Sequence, residues 1–77
     1  MKNYAVIGLC PVCSQGRLIV ARDLDSGVLY VLCEECEGEW DSPSDCSISA
    51  ATRDTHGHSE LLDREELAGH PWQDLLP

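Results

Sequence analysis

Two Cys-x-x-Cys turns, Cys10-Pro11-Val12-Cys13 and Cys33-Glu34-Glu35-Cys36, constrain this chain more than any other feature. Each turn is short enough to aim two sulfurs at one point, and two turns supply the four thiolates of a tetrahedral metal site. The nineteen residues between the pairs, Ser14 to Leu32, suit a single hairpin that leaves the first turn and returns to the second. Arg17 to Arg22 and Val28 to Leu32 are β-rich runs, and Asp23-Leu24-Asp25-Ser26-Gly27 between them has the residues of a hairpin loop. Zn²⁺ held by Cys10, Cys13, Cys33 and Cys36 is the expected cofactor. Tetrahedral thiolate also suits iron, so the choice of metal stays open at this level.

A metal fits the size of the chain. At 77 residues a single domain is expected, and such a domain is marginal on its apolar core alone. With no Phe, two Trp and two Tyr, that core must come mainly from aliphatic residues. The cysteine count is five, which argues against an even set of disulfides. Met1 to Leu9 lacks the apolar stretch of a signal peptide, and no run approaches the roughly 18 apolar residues of a membrane span. The expectation is therefore a cytoplasmic protein with reduced thiols and no membrane association.

The double pair resembles the zinc ribbon family, through its Cys-Pro-x-Cys and Cys-x-x-Cys knuckles, over residues 9–43. The resemblance implies a β-hairpin plus a third strand around a structural zinc. Many knuckles in that family place Gly directly after the second Cys. Here Ser14 and Glu37 stand there, with Gly16 and Gly38 slightly later, so N–H donation to the sulfurs is expected to differ in detail. The rubredoxin family also uses two such turns, but its aromatic-rich core is missing.

The fold class expected is a small metal-stabilised α+β protein: a zinc ribbon hairpin, a third strand within Glu37 to Asp41, and a short C-terminal helix. A polar irregular segment, 44–60, would follow the ribbon, and 61–77 would form a helical tail. Asp63 and Glu66 have the spacing of a capping box, while Gly69 and Pro71 would end that helix quickly. Trp72, Leu75 and Leu76 would pack the tail onto the ribbon or anchor a partner. Tyr4 to Ile7 reads as a lead-in strand.

Charge separates along the chain. Lys2, Arg17 and Arg22 face only Asp23 and Asp25 in residues 1–32, whereas Arg53 and Arg64 face twelve acids in residues 33–77. The formal total is −9, and four thiolates around a dication would add about two more negative charges. Such a chain repels nucleic acid and attracts basic partners. Glu34, Glu35, Glu37, Glu39 and Asp41 cluster beside the second knuckle, either as a solvated face or as a docking surface for a basic protein. Alternation would turn Trp40 inward, with Glu39 and Asp41 outward.

No nucleophile–base pair or phosphate loop appears, and four cysteines leave no open metal position, so no catalytic residue and no enzyme activity are expected. Three functions stay open. The first is a protein-binding module with an acidic face. The Cys33–Pro43 run and the acidic, Trp-bearing tail resemble small bacterial toxin-immunity proteins, which implies an antitoxin that neutralises a basic toxin; no residue role follows from that likeness. The second is a nucleic-acid-associated zinc ribbon using Arg17, Arg22 and Lys2. The third is a rubredoxin-like iron protein or a thiol redox role for Cys46, otherwise a half-buried small residue. His56 and His58 read as solvated rather than as a second metal site, and His70 as a helix-end residue.

Overall fold

The hairpin forms where the sequence places it. In the computed structural model, which describes residues 3–52 and 58–76, strand β2 (Arg17–Asp23) pairs antiparallel with β3 (Leu29–Cys33). Asp23 organises the turn: its Oδ1 accepts from the N–H of Asp25 at 2.8 Å and of Ser26 at 3.2 Å. Gly27 closes it at φ 79°, a left-handed conformation that glycine tolerates without strain. β1 (Val6–Leu9) lies against the first half of β2, and β4 (Glu39–Trp40) pairs with β3, giving the order β1-β2-β3-β4. The lead-in strand thus begins two residues later than Tyr4.

A fifth strand, β5 (Ser59–Leu61), was not expected from the sequence. It pairs antiparallel with the second half of β2, Ala21 facing Leu61, on the same edge that β1 occupies further along. Ala5, Val20 and Leu62 knit the two together: Ala5 donates to the Leu62 carbonyl at 2.9 Å, Val20 to that of Ala5 at 3.0 Å and Leu62 to that of Val20 at 2.9 Å. All three are fully buried. An Arg22–Glu60 ion pair at 2.8 Å supports the same register.

Side chains alternate across the sheet. One face carries Leu18, Val20, Val31, Cys33 and Trp40, and it divides into two apolar clusters. At one end Cys10, Leu18, Val31, Cys33 and Trp40 pack together; at the other Ala5, Val20, Leu62 and Leu67 do, joined by Leu29, Trp72 and Leu76. Ile7 touches both. The opposite face carries Ile19, Ala21, Tyr30 and Glu39.

The expected C-terminal helix does not form among the described residues. The capping box itself is made: Glu66 N–H donates to Asp63 Oδ1 at 2.7 Å, and Asp63 N–H to Glu66 Oε1 at 3.1 Å. Only turns follow, because Gly69 adopts φ 86° and Pro71 has no N–H, leaving too few residues to repay helix nucleation. Pro71–Leu75 is instead a 3₁₀ turn. His70 caps it, its Nδ1 accepting from Trp72 N–H at 3.1 Å and its ring meeting the Trp72 indole edge-on at 5.0 Å. His70 therefore starts a turn as a hydrogen-bond acceptor rather than ending a helix. Trp72 and Leu76 pack on the core, while Leu75 stays exposed.

Residues 42–52 form a strap over Trp40. Trp40 Nε1 donates to the Ser47 carbonyl at 2.9 Å, and Glu39 and Thr52 exchange backbone hydrogen bonds at 2.8 and 3.0 Å. Ser42 Oγ caps a 3₁₀ turn at Pro43–Asp45. Trp40 is buried at 2% exposure, as alternation requires, and Asp41 is exposed. Glu39 is the correction: it is only 6% exposed, not outward. β4 is paired with β3 on one edge and with Thr52 on the other, so neither edge is open at Glu39.

Candidate metal centre

Both knuckles close at the same end of the sheet. The first follows β1: Cys10 N–H donates to the Gly16 carbonyl at 2.9 Å, and Ser14 N–H to the Cys10 carbonyl at 3.0 Å. The second grows out of β3, where Cys33 N–H donates to the Gly38 carbonyl at 2.9 Å. Antiparallel pairing of Leu18 with Cys33 sets the turns face to face.

The four sulfurs lie within 4.8 Å of one another. Cys10 Sγ is 3.7 Å from Cys36 Sγ, and Cys13 Sγ is 3.6 Å from Cys33 Sγ. A tetrahedron with metal–sulfur bonds of about 2.3 Å has edges of about 3.8 Å, so the spacing fits one central ion. It does not fit disulfides, whose sulfurs sit about 2.05 Å apart, and none of the five cysteines is disulfide-bonded. Cys10 and Cys33 are buried, and Cys13 and Cys36 are half-exposed. The thiolate set accepts zinc or iron; its geometry does not separate them.

Backbone amides point at the sulfurs. Val12 N–H reaches Cys10 Sγ at 3.4 Å, Gly16 N–H reaches Cys13 Sγ at 3.3 Å, and the N–H groups of Glu35 and Cys36 reach Cys33 Sγ at 3.4 Å each. The absence of Gly after the second cysteines does not prevent this. Ser14 and Glu37 themselves adopt left-handed φ values of 59° and 61°, the conformation that glycine would take more cheaply. Amide donation from Gln15 and Gly16 lowers the Cys13 thiol to about 6. Burial acts in the opposite sense on Cys33 and raises it to about 12. A bound dication favours the thiolate at both.

Gly16, expected only to affect amide donation to the sulfurs, also makes room for a ligand. A Cβ there would overlap Cys33 Sγ and stand 2.9 Å from Glu35 Cβ. Gly38 plays a milder counterpart in the second knuckle, where a Cβ would lie 3.4 Å from Cys36 Sγ and 3.2 Å from the Trp40 ring. The usable signal was a glycine within three residues of the last cysteine in each pair.

The acidic residues separate into three kinds. Glu34 is committed to Arg17, with Nε–Oε2 at 2.5 Å and Nη2–Oε1 at 2.9 Å, and the guanidinium holds its carboxyl below the ordinary value. Glu39 is buried. Glu35, Glu37 and Asp41 remain exposed. The cations of the hairpin are also engaged, Arg17 with Glu34 and Arg22 with Glu60, and Lys2 lies outside the described residues.

Cys46 packs against the cluster around Cys10 without joining the four sulfurs; its Sγ lies 3.8 Å from the Ser42 carbonyl, and burial raises its thiol above the ordinary value. His58 is exposed, and His56 lies outside the described residues. Among the described residues, the four knuckle cysteines are the one group of three or more His, Cys, Asp or Glu side chains placed to share a metal. No described helix is long and apolar enough to cross a membrane. The chain matches no family model, and no curated protein or solved structure is significantly similar to it.

Proposed function

We propose that this chain is a non-catalytic zinc-ribbon module whose acidic face binds a basic protein. The observation that carries the reading is the arrangement at the knuckles: four sulfurs fill the tetrahedral positions of one ion, and Glu35, Glu37 and Asp41 stand exposed beside them. The metal supplies rigidity. Structural zinc contributes about 10–16 kcal/mol of apparent binding free energy in small peptides, against the roughly 3–5 kcal/mol that a core of this size supplies. With no position left for water, the ion has no Lewis-acid role.

A concrete version is an immunity protein or antitoxin. Its carboxylates would meet Lys and Arg side chains that otherwise grip a phosphate, and charge complementarity would speed encounter. The nucleic-acid reading is less favoured, because Arg17 and Arg22 are both neutralised by ion pairs. Elemental analysis of purified protein is expected to find one zinc per chain in colourless material; red protein containing iron would favour the rubredoxin-like reading instead. For the partner, co-expression with the basic toxin of a neighbouring gene is expected to protect cells, and Glu35→Gln with Glu37→Gln and Asp41→Asn to abolish protection. Survival that is indifferent to these substitutions would refute the acidic-face mechanism.

A further inference from the structure

A groove of about 390 Å³ opens between the two knuckles and the strap. Val12 of the first knuckle, Gly38 of the second, and Ile48, Ala51 and Thr52 of the strap line it. Val12 and Ile48 are 37% and 69% exposed, so the groove presents apolar surface to solvent. We infer that this groove seats the aliphatic stem of a lysine or arginine from the basic partner, with the cation at its mouth. The inference rests on the proposed basic-protein reading and assigns the contact that gives it shape.

Three observations select that occupant. The groove abuts the thiolate centre: Val12 N–H bonds Cys10 Sγ, and the position a Cβ would take at Gly38 is 3.4 Å from Cys36 Sγ. Four thiolates around a dication would leave about two negative charges beside the groove, and exposed Glu37 directly precedes Gly38. Lysine and arginine combine an apolar stem with a charged tip, so one side chain can meet Val12 and Ile48 and also answer the charge. Thr52 Oγ1, in the lining, is already bonded to the Glu39 carbonyl at 3.0 Å. A second copy of the chain would bring another −9 against the same surface. The groove is also preformed, since the Trp40–Ser47 bond and the Glu39–Thr52 pairing hold the strap in place.

The test uses tetralysine as the probe on ¹⁵N-labelled, zinc-loaded full-length protein at low, constant ionic strength. Amides of Val12, Gly38, Ile48 and Ala51 are expected to shift saturably. Ile48→Ser and Val12→Ser, both at exposed positions and checked for an intact amide spectrum, are each expected to weaken tetralysine at least threefold; Glu37→Gln is expected to weaken it as well. If the serine variants bind tetralysine as the parent does, with shifts confined to Glu35, Glu37 and Asp41, the groove is overturned while the acidic-face reading stands. No saturable binding at all would overturn both. Concentration-dependent shifts of the groove amides without peptide would assign the surface to a second copy and also overturn the inference.

Discussion

Replacing Gly16 with alanine tests the geometry of the metal centre with one methyl group. The added Cβ would overlap Cys33 Sγ and crowd Glu35 Cβ at 2.9 Å. Gly16 does not have a positive φ, so the cost is contact rather than backbone conformation. Non-bonded carbon and sulfur need about 3.5–4.0 Å, and the sulfur would have to retreat by on the order of 1 Å. Metal–ligand bonds tolerate only about ±0.2 Å. Cys33 cannot follow freely, because it is fully buried and its N–H is tied to the Gly38 carbonyl. The variant should therefore lose the equivalent of one ligand. A quarter of the roughly 10–16 kcal/mol for a four-ligand site is about 2.5–4 kcal/mol, or roughly two to three orders of magnitude in affinity. Competition with a chromogenic chelator at neutral pH measures this directly. Gly8→Ala is the control, since nothing lies within 4 Å of a Cβ there. A Gly16→Ala affinity within threefold of the parent would refute the idea that this glycine makes room for a ligand sulfur.

Other perturbations probe the frame around the site. Ser14→Gly and Glu37→Gly should each stabilise the metal-loaded protein by about 0.5–1 kcal/mol in chemical denaturation, because both residues hold left-handed φ values; a loss of stability in both would contradict this. Trp40→Phe removes the Nε1 bond to the Ser47 carbonyl and leaves a cavity in the buried cluster, and should cost about 2–3 kcal/mol, with faster amide exchange at residues 47–52. Exchange that is unchanged there would show that the strap is held by Glu39 and Thr52 alone. Burial raises the Tyr30 phenol above its ordinary value, aided by the charges of Glu39 and Asp23 and opposed by its bond to Ser59 at 2.6 Å. Its stabilising contribution is therefore complete below about pH 10, where the unfolded phenol ionises, and is lost as pH rises past that point. Tyr30→Phe should flatten this alkaline decline in a melting series, and an unaltered slope would exclude Tyr30 as its source.

Chelation is where the legible and illegible parts of the fold meet. The metal end was readable because its determinants are local: two short turns, a hairpin with an Asp and a Gly in its loop, and Trp40 two residues past Gly38. The far end was not, because it is built by distant pairing. β5 meets β2 across the 38 residues from Arg22 to Glu60, and Ser-Glu-Leu carries no alternation that announces a strand. Glu39 misled because alternation fixes the face a side chain takes and not what covers it, and its backbone pairs with Thr52, 13 positions away. The capping box at Asp63 and Glu66 was read correctly, but a cap fixes where a helix would begin and not whether enough residues follow. Sequence spacing alone predicts that metal removal unfolds residues 9–43. The packing predicts more. Ile7 contacts both clusters, and β2 carries Leu18 into one and Val20 into the other. Loss of the ion should therefore release the far cluster as well, and the amides of Ala5, Leu62 and Leu67 should lose protection together with those of Leu18 and Val31 after complete chelation. Far-UV dichroism would fall in the same step. Retained protection at Leu62 and Leu67 in metal-free protein would mean that the second cluster stands alone, and the ion would then be a local clip rather than the element on which the whole sheet depends.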